Sequence, residues 1–145
     1  MRVSDVMTHG ARIARPNETV QEVAQRMLAD DIGFLPVGDD DRLVGTITDR
    51  DIVVRAVAQG QDGTTLVRDV MTRDVRYCFE EEDIDHVVQN MGDIQVRRLP
   101  VVNRDKRLVG IVSLADGALK DNPEAVGIAF TGVVMSGGAH VSANS

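Results

Sequence analysis

The sequence contains no tryptophan, one tyrosine and three phenylalanines, so only 3% of its 145 residues are aromatic. A core must therefore be assembled from Val, Ile, Leu, Met and Ala. Cysteine occurs once, at Cys78, which excludes an internal disulfide and a cysteine-cluster zinc site. Its apolar neighbours mark it as a small buried hydrophobe, and a lone cysteine fits a reducing, cytoplasmic setting. No apolar run approaches the ~20 residues that span a bilayer, and the first five residues, Met1-Arg2-Val3-Ser4-Asp5, form no apolar signal core. The expectation is a protein with no membrane partner. Lysine is scarce: 14 of the 16 cations are Arg, set against 23 acidic residues for a net charge of −7. That balance argues against nucleic acid as a partner, because phosphate contacts need surplus cations. No Gly-x-Ser-x-Gly, P-loop, Gly-x-Gly-x-x-Gly or Ser-His-Asp order is present, and His9, His86 and His140 show no metal-ligand spacing. Neither catalysis nor a metal site is expected.

What the chain does contain is a repeat of itself. Asp5-Val6-Met7-Thr8 returns as Asp69-Val70-Met71-Thr72, and Leu35-Pro36-Val37 as Leu99-Pro100-Val101, both 64 residues later. Leu43-Val44-Gly45 returns as Leu108-Val109-Gly110 at a spacing of 65. A hydroxyl residue and an Asp follow each Gly: Thr48-x-x-Asp51 and Ser113-x-x-Asp116. Four matched blocks in one order mark an internal duplication.

Each repeat predicts the same elements. A short strand comes first, near Arg12–Arg15 and Val75–Cys78. The helix that follows opens on a capping box at Thr19 and Glu22, or on Asp83. Val20, Val23, Ala24, Met27 and Leu28 form its apolar stripe in the first repeat; Ile84, Val87, Val88 and Met91 do so in the second. Gly92 weakens the second helix by about 1 kcal/mol. Two hairpin strands come next, Phe34–Val37 with Leu43–Thr48 and Leu99–Val102 with Leu108–Ser113. Helices over Asp49–Gln59 and Leu114–Lys120 close the repeats. The fold class is α/β (α+β), with two β-α-β-β-α repeats packed about a pseudo-twofold axis. The expected organisation is a repeat over 1–60, a linker over 61–66, a repeat over 67–121, a C-terminal helix or tail over 122–136 and a disordered tail over 137–145. The C-terminal helix starts at Asn122-Pro123-Glu124, has Val126, Phe130, Val133 and Val134 at helical spacing, and ends at Gly137-Gly138.

These ordered blocks resemble the cystathionine-β-synthase (CBS) domain, and two in tandem resemble a Bateman module of the free-standing bacterial type. The stretches Gln95–Val102 and Thr48–Val53 carry the resemblance most specifically. It implies a non-enzymatic regulatory or sensor module. The ligand is of adenosine type, AMP, ADP or ATP, less readily NAD or S-adenosylmethionine, held in clefts between the repeats. By this resemblance Asp51 and Asp116 take ribose hydroxyls, and Thr48 and Ser113 help at ribose or phosphate. It also implies a homodimer.

The residues alone permit both a ligand role and a plain one. Thr48-x-x-Asp51 and Ser113-x-x-Asp116 are equally capping boxes at helix starts. Arg50 at a helix start opposes the helix dipole, and either a bound phosphate or a salt bridge to Asp49 or Asp40 would remove that conflict. Arg97-Arg98 stand where the first repeat has Gly33-Phe34, so the clefts are not equivalent and one Arg can face phosphate. Tyr77 either stacks on a base or fills core. The motif Thr48-Asp49-Arg50-Asp51 combines hydroxyl, carboxylate and cation and is expected to bind more strongly. Glu80 in place of Pro16, and Leu114-Ala115 in place of Asp49-Arg50, leave open a second reading, a dimeric scaffold without ligand.

Overall fold

Side-chain caps and buried stripes shape the long helices of both repeats. The computed structural model describes residues 1–10, 12–120 and 123–135. Their elements, in chain order, are α1 (Val3–Val6), β1 (Thr8–His9), α2 (Val20–Asp30), β2 (Phe34–Asp39), β3 (Arg42–Thr48) and α3 (Asp49–Arg55). A 3-10 turn, Val57–Gln59, follows α3. Then come α4 (Val67–Val70), β4 (Cys78–Phe79), α5 (Ile84–Ile94), β5 (Arg98–Val102), β6 (Leu108–Ser113), α6 (Leu114–Lys120) and α7 (Pro123–Met135). The mixed composition of helix and strand is that of the α+β class. Thr19 accepts the Glu22 N–H at 3.2 Å, as its spacing predicts, and Asp83 accepts the Asp85 N–H at 2.8 Å. Both helices end on a left-handed residue, Asp31 and Gln95.

The described residues pack as two units, one within Arg12–Val75 and the other combining the N-terminal segment with the chain from Arg76 onward. In the first, β2 and β3 form an antiparallel hairpin with Leu35 opposite Ile47. Single bridges add Ala14 parallel to Val37 and Thr72 antiparallel to Thr46. Ala14, Val23, Leu35, Val37, Ile47 and Val67 are fully buried there. The second unit holds a four-stranded sheet in the order β1-β6-β5-β4. Its β4 runs parallel to β5 with Cys78 opposite Val101, and β1 runs antiparallel to β6 with Thr8 opposite Ile111. Val3, Ile84, Met91, Val112 and Val133 are fully buried in its core.

The two Asp-Val-Met-Thr blocks are exchanged between the units. The block at 5–8 belongs to the 1–60 repeat in the sequence, yet α1 and β1 pack with the second repeat, while α4 and Thr72 pack with the first. The glycine of each Leu-Val-Gly block permits this. A Cβ on Gly45 would lie 2.8 Å from Met71 Sδ and 2.9 Å from the Thr72 carbonyl oxygen, and one on Gly110 would collide with the Thr8 carbonyl oxygen. Residues 61–66 are likewise pinned to the first repeat. Val20 N–H donates to the Thr65 carbonyl at 2.8 Å, and Gln21 N–H to Gly63 at 3.1 Å.

Several expected elements are altered. The strand near Arg12–Arg15 shrinks to the bridge at Ala14, and the one near Val75–Cys78 shifts to β4. The helix expected over Asp49–Gln59 breaks at Ala56, whose carbonyl is taken by Gln59 N–H in the 3-10 turn. Ala24 and Leu28 leave the buried stripe of α2; Leu28 is 84% exposed. On α7 Ala129 and Val133 are buried and Phe130 stands half exposed, while the side chains of Val126 and Val134 lie outside the described ones. The glycine pair at 137–138, the tail over 137–145 and His140 lie outside the described residues.

Candidate functional site

Each hairpin feeds its second strand directly into a helix, and the Thr/Ser-x-x-Asp motif caps that junction. Thr48 N–H donates to Asp51 Oδ2 at 3.0 Å, and Asp51 N–H donates to Thr48 Oγ1 at 3.0 Å. The second motif repeats the pair: Ser113 N–H to Asp116 Oδ2 at 2.9 Å and Asp116 N–H to Ser113 Oγ at 3.1 Å. A further bond ties each helix start to the beginning of the other hairpin strand. Asp49 N–H donates to the Gly33 carbonyl, and Leu114 N–H to the Arg97 carbonyl, both at 3.0 Å.

The surroundings of the two caps differ. Thr48 and Asp51 are buried, while Ser113 and Asp116 are half-buried. Burial pushes the Asp51 carboxyl above the usual carboxylate range; its bonds to Thr48 and the Arg55 guanidinium at 3.6 Å oppose that shift only in part. Arg55 is also held by the Val70 carbonyl, at 2.9 Å. At the first motif, the Asp49 carboxylate crowds Gly33: a Cβ there would lie 2.9 Å from Asp49 Oδ2. At the second motif the matching positions are Leu114 and Arg97. The crowding anion of one repeat is thus replaced by a buried apolar residue and a cation.

Beside the second motif lies a cavity of about 450 Å³. Arg97, Arg98 and Ser113 line it, together with Leu114 and Ala115 at the start of α6 and with Gly127 and Phe130 of α7. The Arg97 guanidinium carbon sits 5.5 Å from the Phe130 ring centroid, a cation–π contact. Arg97 Nε is buried and has no hydrogen-bond partner among the described residues. Neither Arg97 nor Arg98 has an ion-pair partner among the described residues, in a chain with seven more acidic than basic groups.

Three of the predicted residues, Arg97, Arg98 and Ser113, thus meet at one cavity. Asp116 does not line it and is bonded back to Ser113. Thr48, Arg50 and Asp51 do not line this cavity; Arg50 is exposed, and its backbone N–H donates to Asp49 Oδ1 at 2.9 Å. Tyr77 lies elsewhere, 39% exposed, its ring edge-on to Phe79 with centroids 5.7 Å apart. Phe130 and Gly127 are lining residues that sequence reasoning missed, because α7 belongs to neither repeat. The cation–π pairing of an Arg with one of only three phenylalanines could not be read without the packing of α7. Cys78 is buried, and burial first, the Glu82 charge second, push its thiol up to about 12. Among the described residues, no three His, Cys, Asp or Glu side chains group as a metal site. No helix among them is long and apolar enough to cross a membrane.

A duplicated hairpin-and-helix unit, capped twice by the same motif, defines a tandem-repeat module. The chain belongs to the CBS-domain family: the CBS domain model matches residues 3–57 and again 67–116. It is 39% identical over 132 residues to the CBS domain-containing protein YhcV of Bacillus subtilis, covering 90% of this chain and 94% of that one. Among solved structures it resembles Hypoxic Response Protein I with two coordinated zinc ions (41% identity, TM-score 0.72, 82% of this chain and 98% of that one). It also resembles the CBS domain pair of protein MJ0100 in complex with 5′-methylthioadenosine and S-adenosyl-L-methionine (32%, TM-score 0.71, 82% and 94%). A third is CBSX2 in complex with AMP (25%, TM-score 0.69, 79% and 91%).

Proposed function

We propose that this chain is a non-catalytic regulatory module that binds an adenine nucleotide, AMP, ADP or ATP, in the cavity beside Ser113. The observation that carries this reading is the pair Arg97 and Arg98, without carboxylate partners among the described residues, at a cavity of ligand size. Ligand pockets run roughly 300–1,000 Å³, and guanidinium groups suit phosphate. The adenosine-type ligands of the MJ0100 and CBSX2 structures support the same class. Asp116 and Ser113 serve the ribose, and Thr48, Asp51 and Arg50 are the matching set of the first repeat. The second repeat is preferred over the first, reversing the order that the motifs alone suggest. The Asp49 carboxylate against Gly33 repels a phosphate where Arg97 attracts one. The zinc of Hypoxic Response Protein I has no matching cluster among the described residues here.

The module works as a cytoplasmic homodimer in this reading. Leu28 on α2 and Val53, Val54 and Val57 on and after α3 leave apolar side chains in water, 84%, 56%, 42% and 64% exposed. The matching elements of the second repeat, α5 and α6, pack against α7. A second copy of the chain is the occupant that would cover the bare side of α2 and α3. Sedimentation at several concentrations tests it: a concentration-independent 15.8 kDa species overturns the dimer.

The nucleotide is tested by thermal shift with AMP, ADP, ATP, NAD and S-adenosylmethionine. A ligand at 100 times its Kd stabilises by about 2.7 kcal/mol. For a chain of this length that raises Tm by roughly 5–10 °C. A specific observation favours the rival scaffold reading: both motif carboxylates already serve as caps. No shift with any of the five ligands supports that rival.

A further inference from the structure

The helix α7 lies outside both repeats, yet it supplies two residues, Gly127 and Phe130, to the cavity wall. It is seated closely on α5. A Cβ on Gly92 would lie 2.8 Å from Ala129 Cα, and one on Gly132 would lie 3.2 Å from the Gly92 carbonyl oxygen. Ala129 and Val133 are buried in this contact region. At the position matching Gly92 the first repeat carries Leu28, which is solvent-exposed. Gly92 is therefore the seat of α7 and not merely a weak point of α5.

On the cavity side, α7 leaves room. A Cβ on Gly127 would meet nothing within 4 Å, and Phe130 is 46% exposed. The same ring holds Arg97, whose Nε has no hydrogen-bond partner among the described residues. An anion entering the cavity meets the Arg97 guanidinium and the ring that positions it.

We infer that α7 is the ligand-responsive wall of this pocket. An adenine nucleotide seated on Arg97 and Arg98 also touches Gly127 and Phe130, so nucleotide binding and α7 docking reinforce each other. The inference rests on the nucleotide reading above. The physical ground is linkage: a ligand that touches both elements binds the docked form more tightly and, reciprocally, holds the helix down. Ligand state is thereby written into a segment that neither repeat contains.

The full chain is titrated with AMP, with adenosine as the phosphate-free control, and amide hydrogen exchange is followed over 123–135. AMP slows exchange there at least fivefold in the parent, and adenosine binds at least tenfold more weakly than AMP. Gly92→Leu introduces the residue of the first repeat, unseats α7, speeds exchange over 123–135 and weakens AMP binding at least tenfold. Gly127→Leu fills the cavity, leaves α7 docked by its free-state exchange, and also loses AMP. Equal AMP binding by the parent and by a Gly92→Leu chain with unseated α7 overturns this inference alone. So does AMP binding by the parent with no change over 123–135. Persisting α7 protection in Gly92→Leu overturns the assigned seat. Absence of AMP binding to the parent overturns the nucleotide reading and this inference with it.

Discussion

Asp51 separates a structural role from a ligand role, because Thr48, Arg55 and the Thr72 hydroxyl already engage its carboxylate. Asp51→Ala leaves the Thr48 N–H without its acceptor in a buried position; Thr48 is 4% exposed. An unsatisfied buried donor costs about 1–3 kcal/mol. The lost pair with Arg55, itself 46% exposed on its side chain, adds at most about 1 kcal/mol. Release of the buried charge offsets part of this, so the net loss is about 1–3 kcal/mol. At roughly 2–4 °C per kcal/mol for this length, Tm falls by roughly 2–12 °C. Asp51→Asn keeps an acceptor for Thr48 and removes the charge, so it stays within about 0.5–1 kcal/mol of the parent. The pH dependence differs as well. The Asp51 carboxyl has a raised folded pKa, so the folded chain holds its proton more tightly than the unfolded chain. Its contribution is fully present below the unfolded value of 3.8 and is lost as pH rises through the raised folded value. Urea melts from pH 3.5 upward, on parent and Asp51→Asn, should show the parent losing stability relative to the variant across that window. A stability loss in Asp51→Asn as large as in Asp51→Ala refutes the acceptor argument. A parent that gains on the variant as pH rises refutes the burial argument.

Other consequences of the packing are equally direct. Gly45→Ala forces a Cβ against the Thr72 carbonyl and should destabilise by about 1–3 kcal/mol, with Gly110→Ala worse; denaturant melts check both. Cys78, its thiol pushed up to about 12 by burial, should resist Ellman's reagent at pH 8 until urea unfolds the chain, and prompt reaction in the native state would contradict its burial. Gln95→Gly relieves a left-handed backbone at the end of α5 and should stabilise by roughly 0.5–1 kcal/mol in thermal melts. Leu28→Glu should shift the sedimenting species toward 15.8 kDa without loss of helical circular dichroism.

Local pattern along the chain was enough to reveal the duplication, the hairpins and the capped helices. Those signals are local: a hydroxyl three residues before an acid, an apolar stripe of helical period, alternating strands around a polar turn. Thr19, Asp83, Thr48 and Ser113 all cap the helices their spacing predicts. The sequence also singled out Arg97, Arg98 and Ser113. That the block at 5–8 completes the sheet of the second repeat emerged from the packing. Matched blocks are interchangeable partners by pattern, so their assignment depends on which glycine each arm crosses. Likewise, only the structure gathered the two arginines at one cavity and brought Phe130 to it from outside the repeats. A period of 3.6 tells which side of a helix is apolar but not which neighbour covers it. Gly92 illustrates the limit: in sequence it is a cost of about 1 kcal/mol to a helix, and in the fold it is the gap that lets α7 close on α5. Close approach of two backbones depends on what is missing from both surfaces at one point in space, and one-dimensional spacing does not record that.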